Sequence, residues 1–165
     1  MVHNLSDSNS ILGTYLSELR DVYIQKDPMR FRTNLERIAE IMAYEISKKL
    51  KYKTIITETP LAEAESKVLE EQPVLITILR AGLAMHSGFM RYFDRAESAY
   101  VSAYRKHSSP EDFEIYVEYL AAPNLDNRIW IISDPMLATG NSMNTVFDAL
   151  DRKSTRLNSS HTVIS

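Results

Sequence analysis

The chain reads as an α/β protein built around a parallel sheet with flanking helices. Three observations carry that expectation. Pro73-Val74-Leu75-Ile76-Thr77-Ile78-Leu79 is an almost continuous apolar run. Its length and β-branching suit a strand buried on both faces, and two-sided burial marks a parallel sheet. Ile129-Trp130-Ile131-Ile132 repeats the pattern on a smaller scale. Each run ends in a short turn followed by apolar residues at helical spacing. These are Leu83, Met85, Phe89, Met90 and Phe93 after the first, and Met143, Val146, Phe147 and Leu150 after the second.

The other elements follow in order. Ser10 opens a first helix with Ile11, Tyr15, Leu16 and Leu19 on one face. A second helix starts with Asp27 as N-cap and Pro28 at the first helical position, then Phe31, Leu35, Ile38, Ala39, Met42 and Ile46. It ends at Lys48-Lys49-Leu50-Lys51, cations suited to a helix C-terminus. Thr54-Ile55-Ile56-Thr57 is strand-like, and the Ala/Glu content of residues 61–71 predicts a helix. Ala99–Tyr104 reads as a strand. Arg105-Lys106-His107-Ser108-Ser109-Pro110-Glu111-Asp112 is polar and broken by proline, which predicts a loop. Phe113, Ile115, Val117 and Tyr119 alternate with polar neighbours as in a half-exposed strand, and Pro123–Asn127 form a turn.

Composition removes several function classes. With no cysteine, disulfides, thiolate metal sites and a cysteine nucleophile are excluded together. The net charge of −3 is the wrong sign for the usual nucleic-acid binder. No apolar run is long enough to span a bilayer, and the polar first residues predict no signal peptide. No nucleic acid or membrane partner is therefore expected, and the expected compartment is the cytoplasm. His86 and Ser87 are adjacent on a helix and face apart, so no nucleophile pair is read there, and His86 is expected to pack.

The chemistry concentrates after the second apolar run. Ser133-Asp134 is followed by Pro135-Met136-Leu137-Ala138-Thr139-Gly140-Asn141-Ser142, a turn of small and hydroxylated residues leading into a helix. Free N–H groups of a first helical turn, together with the helix dipole, make an anion site. The turn lacks the lysine of a P-loop and the three glycines of a dinucleotide fingerprint. Taken alone, an ordinary strand–turn–helix junction with a capping Ser or Thr is the alternative.

Asp134-Pro135-Met136-Leu137-Ala138-Thr139-Gly140 resembles the phosphoribosyl-diphosphate (PRPP) motif of type I phosphoribosyltransferases, in the form carried by the uracil phosphoribosyltransferases. Pro135 stands where most of the superfamily has a second acid, and Gly140-Asn141-Ser142 where the family usually has Gly-Gly-Ser. The likeness extends to Ile78-Leu79-Arg80-Ala81-Gly82-Leu83, similar to the family's diphosphate loop. It also takes in Ala103-Tyr104-Arg105-Lys106, similar to its second arginine segment. It runs from the second helix to Leu150.

The resemblance implies a type I phosphoribosyltransferase-like (Rossmann-like) parallel sheet, incomplete at its C-terminal end. It implies conversion of uracil and PRPP to UMP and diphosphate, with Mg²⁺ accompanying PRPP and few or no direct protein ligands, and a homodimer. Asp134 is the implied catalytic residue, at the ribose hydroxyls. Arg80, Gly82 and Arg105 would bind the diphosphate, and Pro135, Met136, Leu137, Ala138, Thr139, Gly140, Asn141 and Ser142 would complete the PRPP site. No residue matches the family's glycine-rich uracil-binding segment, and no protein metal site is expected. A PRPP-sensing pyrimidine regulator that binds RNA is the alternative from another class, and it calls for a basic face.

Composition shifts at Asp151. Residues 151–165 are rich in Ser, Thr, Asn and cations without periodicity and resemble translated adapter sequence, the alternative being a native Ser/Thr-rich disordered tail. The expected division is a phosphoribosyltransferase domain over 1–150, lacking its base-binding part, and a foreign tail over 151–165. On that division the last helix stops about two turns after Ser142, and the fragment is expected to be inactive.

Overall fold

The computed structural model describes residues 2–107, 113–136 and 141–153. Helix α1 (Ile11–Arg20) is capped by Ser10, whose Oγ accepts from the Leu12 N–H at 3.3 Å. Leu12, not Ile11, is its buried anchor. Helix α2 (Pro28–Ser47) starts as its sequence dictates. Asp27 Oδ1 accepts from the N–H groups of Met29 and Arg30 at 2.9 and 3.1 Å, and Pro28 takes the first helical position.

Strands β1 (Tyr52–Glu58) and β2 (Glu63–Leu69) form an antiparallel hairpin of their own. The helix expected over 61–71 is therefore a strand. Helix propensity is worth only tenths of a kcal/mol per residue, and here it yields to a register that pairs Tyr52 with Leu69 and Glu58 with Glu63. The turn is closed by Thr59, whose N–H donates to the Ala62 carbonyl at 3.1 Å.

The central sheet contains β3 (Val74–Leu79), β4 (Glu97–His107), β5 (Phe113–Ala121) and β6 (Trp130–Ser133), in the order β5-β4-β3-β6. β3 is parallel to both β4 and β6, and β5 is antiparallel to β4. Arg105, Lys106 and His107, expected in a loop, continue β4 and pair with Ile115, Glu114 and Phe113. Strand pairing with β5, which is not a local property of these residues, carries them into the sheet. The rest of the expected loop, 108–112, lies outside the described residues.

Helices cover both faces. Odd-numbered residues of β3 and β6, such as Leu75 and Ile131, face α2 and α3 (Leu83–Tyr92), where Leu35, Ala39, Met85, Phe89 and Phe93 complete a core. Even-numbered β3 residues Val74, Ile76 and Ile78 join Val101 and Leu125 against Val146 and Leu150 of α4 (Asn141–Lys153). α2 and α3 approach closely: a Cβ on Gly88 would collide with the Glu36 carbonyl. α4 does not stop near Leu150. It runs through Asp151 to Lys153, and Arg152 Nε donates to the Asp148 carbonyl at 3.2 Å. Val146 and Leu150, both fully buried, anchor it, so the composition boundary falls inside a helix.

Candidate active site

The sheet order creates a crevice. β3 leads into α3 on one face of the sheet, whereas its neighbour β6 leads into α4 on the other. Chains leaving adjacent parallel strands to opposite faces open a gap beyond the strands' C-terminal ends, where α/β proteins bind ligands. Arg80 follows β3 and Asp134 follows β6, so the two turns form the lips of this crevice.

The β3 turn is built from backbone contacts. The Gly82 N–H donates to the Ile78 carbonyl at 2.9 Å, the Leu83 N–H to the Arg80 carbonyl at 3.2 Å, and the His86 N–H to the Gly82 carbonyl at 2.9 Å. The Leu79–Arg80 peptide bond is cis. Arg80 is exposed and Gly82 is buried. A Cβ on Gly82 would lie 2.6 Å from the Ser133 carbonyl oxygen, 2.9 Å from that of Ile78 and 3.0 Å from Thr77 Cγ2. Glycine is thus required by packing against β6, a reason the sequence did not disclose.

On the opposite lip, Asp134 is half-buried and its Oδ1 accepts from the Met136 N–H at 3.0 Å. That bond holds the carboxylate at the strand end through Oδ1. Pro135 is half-buried and Met136 is 75% exposed. Leu137, Ala138, Thr139 and Gly140 lie outside the described residues, while Asn141 and Ser142 open α4. Arg105 lies on β4 at the register position opposite Ile115.

Beneath the crevice lies a polar cluster that sequence reasoning reduced to packing. Thr77 pairs with Ser133 across β3 and β6, and with Tyr100 across β3 and β4. His86 of α3 meets this row. Its Nδ1 is 2.8 Å from Thr77 Oγ1, and its Nε2 is 3.1 Å from Ser98 Oγ and 3.2 Å from the Tyr100 hydroxyl. Burial pushes the His86 imidazole below its ordinary pKa, because desolvation penalises the charged ring. The available signal was Thr77 itself, a hydroxyl inside an otherwise apolar buried run.

The fold has solved counterparts. The AQ2163 protein from Aquifex aeolicus superposes with a TM-score of 0.79 at 23% identity, over 93% of this chain and 71% of that one. The purine phosphoribosyltransferase from Pyrococcus horikoshii superposes with a TM-score of 0.51 at 11% identity, over 73% and 65%. The fold is the one shared with that phosphoribosyltransferase. A profile for uracil phosphoribosyltransferase matches residues 6–161. The uracil phosphoribosyltransferase of Porphyromonas gingivalis is 51% identical over 149 residues, which cover 90% of this chain and 69% of that protein. The chain belongs to the uracil phosphoribosyltransferase family.

Proposed function

We propose that this chain carries the PRPP side of a uracil phosphoribosyltransferase, which transfers the 5-phosphoribosyl group of PRPP to uracil and releases diphosphate in pyrimidine salvage. The single observation behind this reading is the pairing of an arginine turn and an acidic turn across one crevice. The reaction needs that combination. Breaking the bond at C1 of the ribose builds oxocarbenium character in the sugar, as in glycoside hydrolysis, while charge accumulates on the leaving diphosphate. Asp134 accepts hydrogen bonds from the ribose hydroxyls and favours the developing positive charge. Arg80 and Arg105 hold the departing polyanion, since a guanidinium matches phosphate oxygens with a planar fork and stays charged. The segment from Pro135 to Ser142 is assigned to the 5-phosphate, since it precedes the N-terminal turn of α4.

Mg²⁺ fits this arrangement as a companion of the substrate. It is usually held by one or two carboxylates plus substrate phosphates, and Asp134 Oδ2 is such a donor. Among the described residues there is no cluster of three or more His, Asp or Glu side chains that would form a protein cage. When bound, the ion neutralises diphosphate charge.

A homodimer and a cytoplasmic setting go with this reading. The β1–β2 hairpin supports the first, because Ile56 is 60% exposed on a two-stranded sheet and Leu61, in the turn that joins its strands, is 97% exposed. Such a ribbon is marginally stable unless something packs on it. Among the described residues, no helix is long and apolar enough to cross a membrane.

Titration calorimetry of this chain with PRPP and Mg²⁺ tests the site. Saturable one-to-one binding is expected, and its abolition in Thr139→Ala would tie it to the turn. Absence of any heat with PRPP overturns the site assignment. UMP formation from radiolabelled uracil and PRPP tests the full reaction.

A further inference from the structure

We propose that His86 is a positioning residue that locks the Arg80–Gly82 turn and the Asp134–Met136 turn at a fixed separation. The proposal rests on the functional reading above for what the turns bind, and on geometry alone for the lock.

The imidazole stands between α3 and two strands, β3 and β4, and reaches β6 through Thr77. Through Nδ1 it reaches Thr77, three residues before Arg80, and through Nε2 it reaches Ser98 and Tyr100 on β4. Its ring also packs on that of Tyr100, 5.3 Å between centroids. Ser133, the residue before Asp134, closes the row: its hydroxyl donates to the Ile76 carbonyl at 3.4 Å and lies 3.5 Å from Thr77 Oγ1. Thr77 and Ser133 are almost fully inaccessible to solvent, so their hydroxyls must find partners inside the protein. The His86 N–H also donates to the Gly82 carbonyl, and Gly82 sits against the Ser133 carbonyl. One residue therefore contacts the floor of one lip with its side chain and the lip itself with its backbone.

A neutral histidine serves this place better than an apolar residue of similar size. It offers one donor and one acceptor to surrounding hydroxyls, each of which can both donate and accept. Either imidazole tautomer can then be matched by the surrounding hydroxyls, and the paired row fixes side-chain rotamers and strand spacing. Leucine would fill the space but take from the buried Thr77 hydroxyl its 2.8 Å partner, leaving it to repack and let the two turns drift.

The test compares His86→Leu, His86→Asn and Thr77→Val in the full chain. Asparagine at 86 retains a hydrogen-bonding group toward Thr77, whereas Thr77→Val removes the same bond from the other side and guards against a leucine variant that fails to fold. The first readout needs no ligand: amide hydrogen exchange at Gly82, Leu83 and Met136. His86→Leu and Thr77→Val are each expected to raise exchange at these amides tenfold or more, leaving the Ala39 and Ala43 amides of α2 unchanged. His86→Asn is expected to restore most of the protection. Unchanged exchange at the two turns, or a uniform rise that includes α2, overturns the proposal, since the second result describes ordinary loss of stability.

The second readout is calorimetric PRPP binding, expected to weaken tenfold or more in His86→Leu and Thr77→Val and to recover in His86→Asn. Wild-type affinity in the leucine variant also overturns the proposal. If the unaltered chain does not bind PRPP, the functional reading fails, while hydrogen exchange still decides the role of His86.

Discussion

The Cα of Gly82 rests so close to Ser133 that a methyl group there would stand 2.6 Å from the Ser133 carbonyl oxygen. The two residues come from different strand ends, and their contact sets the width of the crevice between Arg80 and Asp134. Gly82→Ala is expected to destabilise the protein by about 1–3 kcal/mol, the range typical of overpacking in a close-packed interior. Urea unfolding measures it. PRPP affinity is expected to fall with it, because relief of the clash must move one turn or the other. A variant with wild-type stability would show that the neighbouring backbone gives way freely.

Asp134 combines two roles that a pair of substitutions separates. Its Oδ1 holds the Met136 N–H, and loss of such a bond costs about 1 kcal/mol. Asp134→Asn keeps an oxygen acceptor, so its stability is expected to stay near wild type. It loses the charge, and PRPP affinity is expected to drop at least tenfold, about 1.4 kcal/mol. Asp134→Ala should show both losses. Calorimetry beside urea unfolding distinguishes them, and undiminished affinity in Asp134→Asn would remove the carboxylate from the substrate site.

Arg80 is exposed, and exposed substitutions away from special features cost within about 0.5 kcal/mol. Arg80→Ala is therefore expected to unfold like the wild type yet bind PRPP and diphosphate much more weakly. Arg80→Lys should recover only part of the loss, because an ammonium has no planar fork. Full recovery by lysine would mean that charge alone is read at this position.

The histidine makes stability depend on pH in one direction. Burial lowers the pKa of His86 in the folded state, so below the ordinary histidine range the unfolded chain takes up a proton that the folded chain refuses. Stability is then expected to fall as pH drops from that range toward the depressed folded value, and His86 contributes no pH dependence above it. Thermal unfolding across this interval is the measurement. In His86→Asn the slope should flatten, and an identical slope in both proteins would place the titration elsewhere.

How much of this was readable beforehand differs from element to element. Asp27-Pro28 specified the start of α2 because a capping carboxylate and a fixed φ act locally. The apolar runs of β3 and β6 likewise announced themselves. β2 did not, since Glu63–Leu69 becomes a strand only by pairing with β1, and pairing is not a local property. The same is true of Arg105–His107, polar residues carried into β4 by their partners on β5. At the site, Arg80 and Asp134 could be singled out from strand-end placement and family likeness. The reason for Gly82 and the setting of His86 could not, because both depend on which strand lies beside β3.

That neighbour arrives late in the chain. β3 pairs with β4 through one intervening helix, but the pairing of Thr77 with Ser133 spans β4 and β5 as well. Contacts between distant segments carry a larger closure entropy and tend to form after local ones. The expected order of assembly therefore puts α2, α3 and the β3–β4 pair ahead of β6. The candidate site does not exist until the last central strand docks. A ligand that bridges the two turns would stabilise that final docking step in proportion to its occupancy, making the ligand a participant in completing the fold.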